Sequence, residues 1–214
     1  MQRGLCTSFQ PMVAAFLAGF FVSCLLYSGT LAAVAQSFQP SSLVETGQVS
    51  IAGREVSYRI RNLPVSSFPE LPHAVVETLM ARKCLIPQTY EAHRPENVVH
   101  ASLERPGSSD WAVLCSAQGK VSLLIFFASA SPTQPTVLAE AAMIDRLQAQ
   151  DLSGVLGFNW GIDPASPKRI HEAQAGMEHR PVPPDHDCLA DTTVDHQTVY
   201  HLYRDGAWEK VDVE

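Results

Sequence analysis

The residues best suited to chemistry are histidines and carboxylates that gather near the C-terminus of this 214-residue chain. Five of its eight histidines lie between residues 171 and 201, interleaved with acidic residues. Imidazole and carboxylate groups bind zinc or calcium, and in pairs they act as general acids and bases. The segment therefore raises the hypothesis of a metal-assisted or Asp/His-based hydrolase, whose candidate metal ligands are Asp185, His186, Asp187 and Asp191.

The spacing of these residues argues against that hypothesis. The segment contains no H-E-x-x-H motif and no histidine pair at i, i+4. In the loop that begins at Asp185, Ala190 and His196 stand where an EF-hand calcium loop has glycine and glutamate. Histidines scattered through solvated loops are the simpler interpretation.

Other signatures of catalysis are missing from the sequence. There is no G-x-S-x-G nucleophile motif, no G-x-G-x-x-G loop and no Walker loop. Cys115 lies inside an apolar run, where a disulfide partner or a core residue is a simpler interpretation than a nucleophile. We therefore predict a protein without catalytic residues and without a cofactor.

The polar connector "PQTYEAHRPEN" carries the candidates for ligand binding. Tyr90 offers a ring and a hydroxyl group, and Glu91 and Glu96 flank the stretch A-H-R-P, so that their carboxylates could face one another. Loop acids next to Arg94 more often form an ion pair than an acid–base couple. Tyr90, Glu91 and Glu96 are therefore candidates for a binding surface.

The N-terminus predicts export from the cytoplasm. A single basic residue, Arg3, precedes a long apolar run that ends in Ala33-Val34-Ala35. Small residues at these positions fit a signal peptidase, so residues 1–35 are predicted to be a signal peptide that is cleaved after Ala35. The alternative is a membrane anchor formed by residues 11–35, which is long enough to span a bilayer. The mature protein would then be periplasmic or extracellular, or tethered to the membrane.

Export makes a disulfide bond possible for the three cysteines that follow the signal. Cys84 and Cys115 each lie beside a strongly apolar segment in the first half of the chain, so they are the first choice for a pair. Cys188 would then be free, buried or bonded to another molecule. The alternative is three unpaired, buried cysteines.

Charge limits the range of partners. The formal net charge is −7 and no long basic run occurs, so a nucleic-acid partner is not expected. A membrane contact is expected only through an uncleaved N-terminal segment. An envelope protein or a small-molecule ligand remains as a possible partner.

The elements that would position these residues are mostly strands. Two β-rich runs flank Ala52-Gly53 and predict a hairpin, and a second hairpin is predicted around Asp205-Gly206. The run "VSLLIFFA" is apolar on both faces, which predicts a central strand covered on both sides. Further strands are predicted at 98–103 and 111–116.

One amphipathic helix is predicted in "SSFPELPHAVVETLMARKC", with Ser67 as its N-cap. Residues 36–47 are predicted to be a flexible leader, and residues 48–214 a single globular domain. The expected fold class is α+β: an antiparallel sheet or meander with a few helices packed on one face.

The stretch "CLIPQTYEAHRPENVVHASLERPGSSDWAVLCS" and the closing "VYHLYRDGAWEKV" resemble a recurring set of exported bacterial proteins of unknown activity. The resemblance covers about residues 84–210. It implies that one fold brings these residues together, and it implies no activity. The function expected from the sequence is a non-catalytic binding or envelope-associated module.

Overall fold

The computed structural model describes residues 43–150, 152 and 154–213, which belong to the unit Phe38–Glu214. The predicted signal peptide, the alternative anchor and the cleavage site after Ala35 lie outside the described residues. Within the described ranges, no helix is long and apolar enough to cross a membrane.

Thirteen strands and two short helices form the described part of the chain, so the fold is mostly β and the predicted α+β class needs correction. The first sheet contains nine strands, all paired antiparallel except β2 with β9. The second sheet contains four antiparallel strands in the order β10-β11-β12-β13. The strands are β1 Leu43–Ile51, β2 Arg54–Pro64, β3 Leu85–Gln88, β4 Val98–Ala101, β5 Asp110–Ala117, β6 Lys120–Phe126, β7 Thr136–Ala142, β8 Leu147–Ala149, β9 Leu156–Phe158, β10 Trp160–Ala165, β11 Cys188–Thr193, β12 Thr198–Arg204 and β13 Ala207–Val211.

The two sheets pack face to face, with one helix on each outer side. The core between the sheets contains Leu123 of β6 and Trp160 of β10, both fully buried. The alternate β6 residues Leu124 and Phe126 point to the other side of the first sheet. The strand "VSLLIFFA" is thus covered on both faces and lies between β5 and β7, as its apolar pattern predicts.

The helices do not share one face, which corrects the sequence prediction. Helix α1, His73–Ala81, packs on the first sheet through Val75 and Leu79, whereas helix α2, Pro167–Ala173, packs on the second sheet through Ile170. Each sheet has an apolar outer face, and a single layer of helices could cover only one of them.

Helix α1 begins later than predicted, and Ser67 lies in a 3-10 turn instead of capping it. Pro72 is the N-cap residue. Because a residue before proline avoids the helical region, Leu71 cannot be the first residue of the helix. The amphipathic pattern still identifies the buried face, since Val75 and Leu79 are buried.

The hairpin around Ala52-Gly53 is confirmed. Both residues have positive φ, 49° and 77°, as a type I′ turn requires. The first strand of this hairpin includes residues 43–47, which the sequence analysis assigned to the flexible leader. They pair with β2 in an unbroken register that runs from Leu43–Asn62 to Ile51–Arg54.

The predicted disulfide bond between Cys84 and Cys115 is confirmed. It lies in the core between α1 and the first sheet. Cys188 is a free, fully buried thiol, and burial raises its pKa to about 12. A disulfide bond is typical of an oxidising compartment.

Candidate functional site

Two arginines on β2 define the candidate site. Arg59 and Arg61 alternate with Ile60, which is fully buried between the sheets, so both guanidinium groups leave the strand on its outer face. Neither arginine forms an ion pair with a carboxylate of the described chain. One nitrogen of Arg61 donates to the carbonyl oxygen of Ala92 at 2.9 Å, which leaves the rest of its donors available.

The two arginines line a cavity of about 300 Å³. The end of strand β3 contributes to the lining, because Arg61 pairs with Gln88 and the chain continues through Thr89 to Tyr90. Two of the described lining residues are arginines and none is acidic. We call this cavity the arginine pocket; it is lined by Val44, Arg59, Arg61, Gln88, Thr89, Tyr90, Ala92 and Gln150.

Glu96 holds the rim of the arginine pocket in place. Its carboxylate accepts a hydrogen bond from the Thr89 amide at 2.7 Å. Its own amide donates to the Gln88 side chain at 2.9 Å, and that side chain donates back to the Glu96 carbonyl at 3.0 Å. Glu96, a candidate for ligand binding in the sequence, therefore stabilises the backbone of the loop. Glu91, the other glutamate candidate, is exposed.

Tyr90 lies at the edge of the pocket and connects it to the second sheet. Its hydroxyl group donates to the Asp195 carboxylate at 2.5 Å, and its amide donates to the Phe158 carbonyl at 2.9 Å. Partial burial, the hydrogen bond to Asp195 and nearby negative charge raise the pKa of Tyr90 to about 12. Tyr90 thus remains a neutral hydroxyl group at physiological pH.

The candidate metal ligands are close in the sequence, but their side chains form hydrogen bonds with different residues. Asp185 contacts His186, with 2.6 Å between Oδ1 and Nδ1, and the pKa of Asp185 is lowered mainly by this hydrogen bond. The other ring nitrogen of His186 lies 2.9 Å from the Tyr203 carbonyl oxygen. Asp187 instead accepts a hydrogen bond from the Ser102 amide at 3.0 Å.

Asp191 belongs to a polar cluster at the margin of the core between the sheets. Its carboxylate accepts a hydrogen bond from the Trp160 indole at 2.6 Å and lies 3.3 Å from a ring nitrogen of His201. The guanidinium group of Arg146 lies over the face of the Trp160 ring, 3.9 Å from the ring centroid. These contacts assign Asp191 to packing between layers.

Among the described residues, no three His, Cys, Asp or Glu side chains are grouped so that they could hold a metal ion. His171, His179 and His196 are exposed. The structure therefore does not gather the histidine-rich segment into one site.

Sequence reasoning missed Arg59 and Arg61, although the signal was present. The alternation along β2 assigns both to the solvent side of a half-buried strand, and two arginines two residues apart share one face. The sequence could not supply the opposite wall, because Tyr90 and Gln150 are distant from β2 along the chain.

Comparisons with protein-family models, curated proteins and solved structures find no match for this chain.

Proposed function

We propose that this protein is an exported, non-catalytic binding module, and that the arginine pocket holds the acidic group of a small ligand. The observation that carries the proposal is a pair of arginines on one face of β2, Arg59 and Arg61, that form no ion pair with any carboxylate in the described part of the chain. An unpaired guanidinium group is an efficient receptor for carboxylate, sulfate or phosphate because its donors match the geometry of two oxygens.

The surroundings of the pocket also fit a small polar ligand. Tyr90 contributes an aromatic edge, since its hydroxyl proton is donated to Asp195, while Thr89 and Gln150 add polar side chains. The volume of about 300 Å³ is at the lower limit for ligand pockets and suits a single sugar ring or a small organic acid.

Export is supported by the signal-like N-terminus and by the Cys84–Cys115 disulfide bond. The resemblance of residues 84–210 to exported bacterial proteins points in the same direction. In this proposal the protein works in the periplasm or outside the cell, where acidic sugars and phosphate groups of the envelope are available.

The alternative function, an Asp/His-based hydrolase, has less support. It would require several of the histidines between 171 and 201 to converge with a carboxylate in a cleft. Among the described residues, His186 contacts Asp185 and His201 contacts Asp191. Each histidine thus has its own aspartate, and the two pairs share no residue.

The binding proposal can be tested by titration of the protein with glucuronate, inorganic phosphate and neutral glucose, followed through backbone amide NMR shifts. We expect glucuronate or phosphate to shift the signals of Thr89 and Tyr90, and glucose to leave them unchanged. Arg59→Gln should weaken binding about fivefold, since it removes one partly exposed charge-assisted hydrogen bond.

Arg54→Gln is the matched control. It removes the same charge from the same hairpin, but alternation along β2 places Arg54 on the face opposite Arg59. Equal binding of glucose, or equal losses in the two variants, would contradict the proposal.

A further inference from the structure

The free side of β1 is the longest unprotected sheet edge in the described structure. Among the described strands β1 pairs only with β2, over nine consecutive residues without a bulge. It contains no proline and only one charged residue, Glu45. Both of its ends carry exposed apolar side chains: Leu43 is 50% exposed and Ile51 is 47% exposed.

The other sheet edges carry recognisable protection against pairing with another strand. Strands β4 and β8 have only four and three residues, and β10 contains Asp163 and Pro164. Strand β13 presents Glu209 and Lys210, and the pairing of β7 is interrupted by a bulge. Short strands, prolines, charges and bulges are the usual means of blocking edge association. Strand β1 has only one of them, the single charge of Glu45, so its exposed edge requires an explanation.

The turn between β1 and β2 determines which backbone N–H and C=O groups of β1 face β2 and which face away from it. The two-residue type I′ turn makes Ile51–Arg54 a hydrogen-bonded pair, and such pairs alternate along an antiparallel ladder. The backbone groups that point away from β2 are therefore those of Val44, Thr46, Gln48 and Ser50.

We propose that a second copy of this chain binds along β1, with the two β1 strands antiparallel about a two-fold axis at Gly47. This axis pairs Thr46 with Gln48 of the other copy and Val44 with Ser50. All four residues have their backbone N–H and C=O groups on the free side, so each pair can exchange two hydrogen bonds and the ladder extends over the full strand. The two copies of the first sheet then form one continuous sheet.

The side chains agree with this register. The axis places Leu43 opposite Ile51 of the other copy, which covers both exposed apolar side chains. Glu45 falls opposite Val49 of the other copy, so the two glutamates lie four residues apart along the strands and do not repel one another directly. Arg54, next to Ile51 on the same face, lies within reach of the second copy's Glu45.

Gly47, the midpoint of β1, permits a close approach at the axis. The Tyr58 ring lies over Gly47, and a Cβ atom at this position would be 2.6 Å from the Tyr58 hydroxyl oxygen. Two glycines would therefore meet at the axis, each covered by one tyrosine ring. An aromatic ring over a glycine compensates for the side chain that the strand lacks there.

The size of the edge sets the expected affinity. Nine residues span about 30 Å, and a strip of this length with side chains on both faces buries roughly 1,000–1,200 Å² in total. That area is at the lower end for specific interfaces, so we expect a reversible dimer with a dissociation constant of about 1–100 µM.

The test is analytical ultracentrifugation of the protein, expressed from its full sequence, between about 1 µM and 1 mM. We expect a monomer–dimer equilibrium. Gln48→Pro should raise its dissociation constant at least tenfold, because proline lacks the outward N–H donor but is tolerated in an edge strand. Gln48→Ala keeps the donor and should dimerise like the unmodified protein.

Hydrogen exchange of the unmodified protein provides a second readout that does not depend on the folding of a variant. The amides of Thr46, Gln48 and Ser50 should exchange at least tenfold more slowly at dimeric than at monomeric concentrations. The intervening amides of Gly47 and Val49 should change much less. The proposal would be overturned if the protein stays monomeric at about 1 mM or if the Gln48→Pro variant still dimerises. It would also be overturned if the slowing of amide exchange does not alternate between neighbouring residues of β1.

Discussion

At the scale of single residues, Asp110 is the most heavily used polar group of the described chain. It is fully buried at the start of β5, and its two carboxylate oxygens accept hydrogen bonds from three backbone amides. These amides belong to Leu103, Glu104 and Ala128, at distances of 2.8–2.9 Å, and the Ser108 hydroxyl group donates to the same carboxylate. A single side chain thus closes the turn before β5 and holds the chain that leaves β6.

We predict that Asp110→Asn lowers the free energy of unfolding by about 2–4 kcal/mol. The amide nitrogen of asparagine cannot accept a hydrogen bond, so at least one buried N–H donor loses its partner. Urea unfolding followed by circular dichroism measures the change.

Asp163→Asn is the control, because Asp163 is exposed on β10. It should change the stability by less than about 0.5 kcal/mol. Equal stability of the Asp110→Asn protein and the unmodified protein would show that the carboxylate is dispensable.

At the scale of elements, the disulfide bond fastens the connection between α1 and β3 to the neighbouring strand β5. Strands β3 and β5 share a single pair of partner residues, Leu85 and Ser116, directly beside the two cysteines. The backbone pairing at this point is short, so the covalent link carries much of the register between the strands.

We predict that the double variant Cys84→Ala/Cys115→Ala loses about 3–4 kcal/mol of stability, the value expected for a loop of 31 residues. Urea unfolding with and without a reductant measures the effect. The reductant should destabilise the unmodified protein and leave the double variant unchanged. A double variant that is as stable as the oxidised protein would contradict this account.

The elements also show how far the sequence could be interpreted. Alternation and turn residues located the hairpin at Ala52-Gly53 and the central strand β6, because both patterns are local. The amphipathic pattern located helix α1 within its stretch, but the expectation that the helices pack on one face was wrong. Which sheet a helix covers depends on contacts between distant residues, such as Ile170 with the outer face of the second sheet.

The candidate site divides in the same way. Tyr90 could be selected from its polar connector, and it lines the arginine pocket. Arg59 and Arg61 could be placed on one face of a strand, but their proximity to Tyr90 follows from the pairing of β2 with β3. Local periodicity contains no information on that pairing.

At the scale of the whole molecule, polar groups join the two sheets at the end near the arginine pocket. The side chain of Asn97 donates to the Trp160 carbonyl at 3.2 Å and accepts from the Ile162 amide at 3.0 Å. Tyr90, which follows β3 of the first sheet, donates to Asp195 in the turn between β11 and β12 of the second. Any change that loosens these contacts should affect the pocket and the packing of the sheets together.

The Tyr90 contact makes the stability of the molecule depend on pH. Its pKa is about 12 in the folded protein and 10.0 for an unperturbed tyrosine, so the folded state holds this proton more tightly than the unfolded state. The resulting stabilisation is complete below about pH 10 and is lost as the pH rises through 12. Because Tyr90 is partly exposed, solvent screening reduces the effect to about 1 kcal/mol.

We predict that Tyr90→Phe lowers the free energy of unfolding at pH 8 and that the difference from the unmodified protein shrinks at pH 11. Urea unfolding at the two pH values measures this change.

Asp195→Asn is the matched variant: asparagine tolerates the positive φ of 60° at this position and keeps an acceptor for the hydroxyl group, but it removes the charge. The contribution of Tyr90 to late tyrosine ionisation, followed by ultraviolet absorbance, should move to lower pH in Asp195→Asn and be lost in Tyr90→Phe. Tyr58, whose pKa is also raised by burial and by Glu45, should still ionise late in both variants. A stability difference that is the same at both pH values would show that the Tyr90 proton is not linked to folding, and that the two sheets are held together without it.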